Sequence, residues 1–263
     1  MTVFRASAGR KGQERESMQL DRVIAVRTDK TVFKDGDRCV KVFGGAYDKA
    51  DVLSEALNQA RAEEAGLPVP RVLEVGVVNG RWAIVSDLIR GTTLDETLER
   101  DPEGCIARLA AMQADLHRAP CPILPRLRDR MVRRIQQTEL PATVRYELCA
   151  RVENMPQKHQ LCHGDFRPSN VMTDENGKCW LLDWKEAARG DGAADAARTC
   201  LTLRMSGRGS LADNYAACYC EKSGTDRESL RRWLPMVAAA RLTSARAQER
   251  ALLMTWLKEN GVV

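Results

Sequence analysis

The sequence predicts an α+β fold of two lobes, in which a small antiparallel sheet with one helix precedes a mostly helical part. Short apolar runs separated by turn residues fill most of positions 22–87, whereas helical spacing of apolar residues dominates the last third of the chain. Strands and helices that are segregated along the sequence are typical of α+β folds. A length of 263 residues is sufficient for two lobes.

Three strands are predicted at the start of the first lobe. Apolar residues alternate weakly over residues 22–27, and residues 32–34 form a second short apolar run. Alternation is clear in the Cys-Val-Lys-Val-Phe segment within residues 38–43, which predicts a third strand. We expect residues 28–31 to form a tight connection between the first two strands.

A helix and a hairpin complete the first lobe. Helical spacing runs from about residue 48 to residue 65, and Gly66 predicts the end of this helix. An Asn-Gly turn at residues 79–80, which is a strong hairpin signal, joins two further strands at residues 71–78 and 81–87. The lobe therefore contains five strands and one helix.

The chain divides into three regions. Residues 1–17 are polar and basic without apolar periodicity, so we expect a disordered tail or a start that is assigned too far upstream of Met18. Residues 18–88 form the first lobe, and residues 89–263 form the helical lobe. In the helical lobe an amphipathic helix is predicted over residues 104–118, and residues 124–156 are predicted to be helical.

Composition and charge argue against several classes of protein. A hydrophobic share of 44% and a charged share of 29% are ordinary for a soluble globular protein. No apolar run approaches the roughly 18 residues of a membrane span, and the N-terminus lacks an apolar signal region. Nine scattered cysteines then predict reduced thiols and a cytoplasmic location.

The net charge of +5 would suit a nucleic-acid partner, but the arginines are mixed with acidic residues along the chain. The densest basic cluster, at 126–134, is expected to be a solvated helix face.

The most informative segment is the run His-Gly-Asp-Phe-Arg-Pro-Ser-Asn at residues 163–170, with a Leu-Asp-Trp sequence shortly after it. An Asn-Gly turn at residues 176–177 lies between two short apolar strands. We therefore expect Asn170 and Asp183 at the same end of a hairpin, with Asp165 in the loop before it.

These residue types suit phosphoryl transfer, which needs a group that orients the attacking hydroxyl and oxygen ligands for a metal. Asp165 can accept a proton, while Asn170 and Asp183 offer the hard oxygen ligands that Mg²⁺ prefers. Each of the three alone could be an ordinary turn residue. Their combination in one motif and one hairpin favours a site.

On these motifs the chain resembles the aminoglycoside phosphotransferase and choline kinase family, small-molecule kinases with a protein-kinase-like fold. The family pattern is His-Gly-Asp, four residues, Asn, and later Ile-Asp-Trp; this chain has Leu182 where Ile is usual and Arg167 where His is frequent. The match continues over residues 190–199, where the resemblance implies that Asp195 supports the catalytic loop. A helix N-cap is the alternative interpretation of Asp195.

The resemblance also implies roles for other residues. Asp165 would be the catalytic carboxylate, and His163 would orient its loop through hydrogen bonds. Lys41 on the third strand would grip the phosphates, steadied by Glu55 on the helix. The phosphate donor would be ATP or GTP, with Mg²⁺ held by the Asn and Asp of the hairpin.

Further nucleotide contacts are expected from two connections. Residues 28–31 contain no Gly, unlike the corresponding loop of kinases, so Thr28 and Thr31 would offer hydroxyl and backbone N–H groups to the phosphates. The hinge between the lobes would bring Asp87 and Ile89 to the nucleotide.

Several alternatives stay open. The expected partner is a small hydroxyl-bearing acceptor, which could be aminoglycoside-like, an amino-alcohol or a sugar. Glu186, Asp191 and Glu221 could line a site for a cationic acceptor, whereas the basic cluster at 126–134 favours an anionic one. The Gly-free connection favours a catalytically impaired nucleotide-binding or regulatory protein on the same fold. Only the net charge favours a nucleic-acid-associated kinase.

Overall fold

The structure, a computed structural model, describes residues 22–27 and 29–263. The expected tail at residues 1–17 and the predicted phosphate contact Thr28 lie outside the described residues. The predicted α+β fold is confirmed, because an antiparallel sheet with one helix precedes a mostly helical part.

The first lobe is a five-stranded antiparallel sheet. The strands lie in the order β1-β2-β3-β5-β4, so the two sequence-adjacent hairpins are joined through β3 and β5. The strands are β1 (Arg22–Arg27), β2 (Lys30–Asp35), β3 (Arg38–Phe43), β4 (Val72–Val78) and β5 (Arg81–Asp87).

The second strand begins earlier than the sequence predicted. Lys30 and Thr31 pair with Phe43 and Val42 of β3 instead of forming a connection. Pairing with β3 extends to this point because the Gly44 amide donates to the Asp29 carbonyl oxygen at 2.7 Å. Since successive strand residues point to opposite faces, Lys30 and Thr31 lie on different sides of the sheet.

The helix of this lobe, α1 (Lys49–Glu64), packs on one face of the sheet. A capping box fixes its start, because the Asp48 side chain accepts from the Asp51 amide and the Asp51 side chain accepts from the Asp48 amide. The apolar contact between helix and sheet is a compact group of buried residues, namely Phe43, Val52, Ala56 and Ile84.

The helical lobe contains the largest buried core, in which Trp184, Tyr215 and Tyr219 are fully buried. Among the described residues, none of its helices is long and apolar enough to cross a bilayer. Its helices are α2 (Leu94–Thr97), α3 (Pro102–Arg118), α4 (Leu127–Gln136), α5 (Ala142–Asn154), α6 (Gly192–Met205), α7 (Gly209–Ser223), α8 (Arg227–Arg241) and α9 (Ala247–Glu259).

Two predictions for this lobe were wrong in detail. The helix expected over residues 124–156 is divided into α4 and α5 before Pro141, because proline disfavours helical backbone in the residue that precedes it. The chain was also expected to be helical from the hairpin to its end, but a short 3-10 turn at Trp184–Glu186 is followed by a strand, β10 (Ala188–Gly190), before α6 begins.

Short strands frame the segment at residues 163–170. β7 (Gln160–Cys162) pairs with β10, while β6 (Gly91–Thr93), β8 (Val171–Asp174) and β9 (Cys179–Leu181) form a three-stranded sheet in the order β6-β8-β9. The predicted hairpin of β8 and β9 is confirmed, with Val171 opposite Leu181.

Hydrogen bonds fasten the first lobe to this hairpin. The buried Asn58 side chain of α1 donates to the carbonyl oxygen of Trp184 at 3.2 Å. The Leu181 amide donates to the Pro68 carbonyl oxygen at 2.8 Å. The sheet of the first lobe is thereby positioned against the end of β9, where Asp183 follows.

Candidate active site

The loop that carries Asp165 begins directly after β7 and turns sharply at Gly164. This residue has a φ of 79°. A Cβ atom there would lie 2.1 Å from the carbonyl oxygen of Glu186, so a side chain would be excluded by contact as well as by backbone conformation. The glycine of the His-Gly-Asp sequence is therefore a geometric requirement of this turn.

Asp195, near the start of α6, anchors the same turn. Its carboxylate accepts from the backbone amides of His163 at 3.0 Å and Gly164 at 2.7 Å. The side chains of Gln113 and His117 donate to it from α3 at 2.9 and 3.1 Å. Asp195 is not the N-cap of α6, since Asp191 has that position.

The pKa of Asp195 reflects these contacts. Burial raises the pKa of the carboxyl group, but the hydrogen bond and charge of His117, followed by those of its other partners, lower it to about 2. Asp195 is thus a fixed anion that binds the backbone of the catalytic loop.

His163 connects the catalytic loop to the end of β9. Its Nε2–H donates to the carbonyl oxygen of Leu182 at 3.0 Å, and its Nδ1 accepts from the amide of Asp165 at 3.3 Å. These two roles require the neutral ring with the proton on Nε2. His163 is fully buried against Phe166 and Trp184, which fixes the ring plane.

The hairpin brings the two predicted metal ligands to the same end. The Leu182 amide donates to the Asn170 carbonyl oxygen at 2.9 Å. Asn170 and Asp183, the residue after Leu182, therefore lie at the same end of the hairpin. The Asn170 side chain donates through Nδ2 to the Asp165 carbonyl oxygen at 2.9 Å. Asp183 has left-handed backbone, with φ 65° and ψ 72°, which Asp tolerates better than most residues.

Asp183 is also joined to the predicted lysine and glutamate of the first lobe. The Nζ atom of Lys41 lies 2.5 Å from Oε1 of Glu55 and 3.2 Å from Oδ1 of Asp183. Glu55 is almost completely buried on the inner face of α1. Strand, helix and hairpin therefore meet in one ionic contact.

A second lysine completes this contact, and it was not predicted. The Nζ atom of Lys30 lies 2.9 Å from Oε2 of Glu55 and 3.3 Å from Oδ1 of Asp183. Lys30 is only 8% exposed, and its ammonium group also lies 5.1 Å from the centre of the Phe43 ring. We call Lys30, Lys41, Glu55 and Asp183 the two-lysine cluster. A signal for Lys30 existed, because strand alternation extended backwards from Val32 places it on the α1 side.

The cluster shifts the ionisation of its members in the expected directions. Burial lowers the pKa of Lys41, but the charges of Glu55 and Asp183 outweigh it and hold the pKa above the usual value. Burial raises the pKa of Asp183, but the charges of Lys41 and Lys30 hold it well below the usual value. Lys41 and Asp183 are therefore both charged at neutral pH.

Asp165 lies between two arginines that were not predicted as site residues. The Nη2 atom of Arg198, on α6, lies 3.1 Å from Oδ1 of Asp165, and the Nε atom of Arg167 lies 3.3 Å from Oδ2. Burial raises the pKa of Asp165, but the charges of Arg198 and Arg167 bring it below the ordinary value. Arg198 lies 33 residues from Asp165, so no local pattern indicates the contact.

The remaining predicted nucleotide contacts do not join the two-lysine cluster. Thr31 lies on the opposite face of the sheet, in a groove with Phe33, Val42 and Val78. The Asp87 side chain is paired with Arg71 at 2.7 Å. Ile89 lies in the connection between the lobes, and its neighbour Leu88 donates its amide to the Asp37 carbonyl oxygen at 3.0 Å.

The carboxylates considered for a cationic acceptor do not form a common site. Glu186 lies 2.9 Å from Nη2 of Arg134 and 3.3 Å from Nη1 of Arg130. Burial raises the pKa of Glu186, but the charge and hydrogen bond of Arg134 lower it to about 2. Asp191 is buried at the N-terminus of α6, and Glu221 is exposed on α7. The basic cluster is therefore not simply a solvated helix face, because two of its arginines are partly buried against Glu186.

Comparison with sequence families agrees with this geometry. The model of the phosphotransferase enzyme family matches residues 12–233, which is most of the chain. The resemblance seen in the motifs is thereby confirmed. No curated protein has a significantly similar sequence.

Several solved structures have a similar fold. A thermostable mutant of aminoglycoside phosphotransferase APH(4)-Ia matches with a TM-score of 0.66 and 18% identity, over 91% of this chain and 94% of that chain. A choline/ethanolamine kinase family protein from Mesorhizobium loti matches with 0.66 and 18%, over 91% and 88%. Choline kinase LicA from Streptococcus pneumoniae matches with 0.66 and 14%, over 89% and 90%. At these identities the likeness establishes the protein-kinase-like fold.

The anchoring role of Asp195 predicts a pH-dependent loss of stability in Asp195→Asn. The low folded-state pKa implies a loss on the order of 2–3 kcal/mol in the free energy of unfolding near pH 7. Because that pKa lies below the unfolded value of about 3.9, the contribution is present above about pH 4 and is lost as the pH falls toward 2. Urea denaturation at several pH values measures it.

Asp213→Asn, on the exposed part of α7, is the control for this substitution. It should change the free energy of unfolding by less than about 0.5 kcal/mol. An Asp195→Asn protein as stable as the control near pH 7 would contradict the anchoring role.

Proposed function

Because the chain belongs to the phosphotransferase enzyme family, we propose that this small-molecule kinase transfers the γ-phosphoryl group of ATP or GTP to a hydroxyl group of its acceptor. The observation that carries the proposal is the continuous hydrogen-bonded and ionic arrangement from Asp165 through His163 to Asp183 and Lys41. It unites a hydroxyl-orienting carboxylate, two oxygen ligands and phosphate-binding cations.

Similar folds in nucleotide complexes support the choice of donor. A thermostable APH(4)-Ia mutant has been solved with AMP-PNP and hygromycin B, and another with ADP and hygromycin B. At 18% and 17% identity these structures share the fold. A nucleoside triphosphate as donor and a small hydroxyl compound as acceptor are therefore part of the proposal.

In the proposed reaction Asp165 orients the acceptor hydroxyl and receives its proton. The hydroxyl oxygen forms a bond to the γ-phosphorus, and the bond from that phosphorus to the β–γ bridging oxygen breaks. The nucleoside diphosphate leaves with the electron pair. The lowered pKa of Asp165 suits this role, because positioning contributes more than proton abstraction in a loose transition state.

Asn170 and Asp183 would hold Mg²⁺. The donor set fits, because both are oxygen ligands at one hairpin end and Asp183 already attracts two ammonium groups. The Asn170 Nδ2 group is engaged with Asp165, which directs the amide oxygen away from that residue. The ion would supply neutralisation of charge on the β- and γ-phosphates.

Lys30 would contribute the phosphate binding that a glycine-rich loop provides in other kinases. In this proposal Lys30 and Lys41 exchange part of their contact with Asp183 for contact with phosphate oxygens, while Glu55 keeps both ammonium groups in place. Residues 28–31 contain no glycine, so a glycine-rich backbone is not available there to bind the phosphates. The second buried cation, Lys30, would supply the missing positive charge. This weakens the reason for an impaired nucleotide-binding protein.

The base of the nucleotide would lie at the connection between the lobes. The Leu88 amide is engaged with Asp37, whereas within residues 22–27 and 29–263 no partner is seen for the Ile89 amide. The Ile89 backbone is the expected contact, because the Asp87 amide donates to the Arg71 carbonyl oxygen at 3.1 Å and the Asp87 side chain is paired with Arg71.

The first test of the proposal is Asp165→Asn, which keeps the size of the side chain and removes its charge. We expect Mg²⁺-dependent nucleotide binding to persist and phosphoryl transfer to fall by about 10²–10⁴-fold. Calorimetric titration with AMP-PNP and measurement of ADP release with a panel of hydroxyl compounds separate the two effects. An equal loss of nucleotide binding would instead assign Asp165 a metal or structural role.

The second test concerns the metal. Asp183→Asn is preferable to Asp183→Ala because Asn tolerates the left-handed backbone at this position. We expect ADP release to become undetectable across a wide Mg²⁺ titration, because a neutral amide is a poor substitute for a carboxylate ligand. Asp95→Asn, on the exposed side of α2, is the control. Normal Mg²⁺ dependence in folded Asp183→Asn would contradict the assignment.

The third test concerns the second lysine. Lys30→Met keeps the length of the side chain and removes its charge, so kcat/KM for ATP should fall by about 10–100-fold, the value of a hydrogen bond to a charged group. The melting temperature shows whether the change acts on folding instead. Lys222→Met, at the exposed end of α7, should have normal kinetics. An unchanged kcat/KM for ATP in folded Lys30→Met would remove Lys30 from the phosphate site.

A further inference from the structure

We propose that the acceptor carries a carboxylate or phosphate group in addition to the hydroxyl that is phosphorylated, and that Arg167 and Arg198 bind this anionic group. The inference rests on the proposed function and names the chemical class of its acceptor. It follows from the balance and pairing of charges around Asp165.

Cations outnumber carboxylates on the acceptor side of Asp165. Four guanidinium groups surround the two carboxylates of Asp165 and Glu186, and each carboxylate is flanked by two of them. The cavity beside the turn at Gly164 is lined by three of these arginines, by Glu186 and by Asp195, whose carboxylate is engaged with the backbone amides of the turn. The arginines are Arg130, Arg134, Arg167 and Arg198.

The two arginines beside Asp165 have unused hydrogen-bond donors. Within the described part of the chain, the buried Nε–H groups of Arg167 and Arg198 lack a hydrogen-bond acceptor. Arg167 reaches Asp165 with Nε at 3.3 Å, which is ion-pair distance without hydrogen-bond alignment. Buried donors of this kind normally have a partner, and a guanidinium fork is suited to the paired oxygens of carboxylate or phosphate.

A cationic acceptor would meet unfavourable conditions at the same place. An ammonium group needs a carboxylate to offset its desolvation. Asp165 is already paired with Arg198 and Arg167, and Glu186 with Arg134 and Arg130. Bringing an ammonium group here would require displacement of an arginine from its ion pair.

An anionic acceptor fits this place without displacing either arginine from Asp165. Its carboxylate or phosphate oxygens would give the unused Nε–H groups of Arg167 and Arg198 an acceptor. The same contacts position the hydroxyl, because a bidentate pair fixes orientation as well as distance.

Matched acceptors that differ only in charge test the inference. Glycerate against glyceramide and gluconate against glucose examine the carboxylate, glycerol 3-phosphate against glycerol examines the phosphate, and choline and ethanolamine represent cations. Binding is measured by calorimetry with and without AMP-PNP and Mg²⁺, and phosphorylation by ADP release. We expect the anionic member of at least one pair to bind ten-fold or more tightly than its neutral match, and cations not to bind.

Arginine variants locate the effect. Arg198→Gln and Arg167→Gln should each weaken binding of the acidic compound ten-fold or more and leave AMP-PNP binding unchanged. Arg204→Gln is the matched control, because Arg204 lies on the same helix as Arg198 but pairs with the exposed Asp213. It should bind both ligands normally.

The outcomes separate this inference from the proposed function. If Mg²⁺ and AMP-PNP bind, and neutral or cationic compounds are phosphorylated as efficiently as acidic ones, the anionic acceptor is wrong and the kinase assignment stands. If no acidic probe binds in either condition, the inference is overturned. If acids bind through Arg167 and Arg198 but no nucleotide binds, the proposed function is wrong and the anion site stands.

Discussion

The two-lysine cluster is the contact on which the site depends. Lys30, Lys41 and Glu55 come from the first lobe, while Asp183 comes from the end of the hairpin in the second. Removing four charges from water is costly and is offset only where each charge has opposite partners at hydrogen-bond distance. Here each lysine contacts both carboxylates, and the formal charges of the four groups cancel. The position of the sheet relative to the hairpin is therefore set by side-chain lengths and charge, in addition to the few hydrogen bonds between the lobes.

Backbone capture by a buried anion is the second constraint. Asp195 accepts hydrogen bonds from two consecutive amides of the turn, those of His163 and Gly164. Only glycine fits at position 164, because a Cβ atom there would collide with the Glu186 carbonyl oxygen. His163 then transmits the position of this turn to Leu182, one residue before Asp183. Asp165 and Asp183 are thus placed relative to each other by directional hydrogen bonds between buried groups. Such an arrangement suits positioning more than proton storage.

Local sequence signals predicted most of the fold, but the site only in part. Alternation and Asn-Gly turns predicted the strands of the first lobe, and the hairpin turn brought Asn170 and Asp183 together, because these features depend on neighbouring residues. The start of β2 was missed, and Lys30 with it, since pairing with β3 extended the strand beyond its apolar run. Arg198 could not be found from spacing, because its contact with Asp165 depends on how α6 packs against the catalytic turn. Thr31 was expected in a connection by the same error, whereas it lies within β2 on the face opposite Lys41.

The two halves of the site differ in how their charge is balanced. In the two-lysine cluster the cations equal the carboxylates, so the nucleotide and metal of the proposed reaction would have to exchange partners within a neutral group. Around Asp165 the cations exceed the carboxylates, and two of their buried donors are unused. An anionic acceptor would offset this excess, whereas a polycationic acceptor would add to it and would have to displace an arginine from its ion pair. The difference in charge balance therefore separates the contacts proposed for the nucleotide from those proposed for the acceptor.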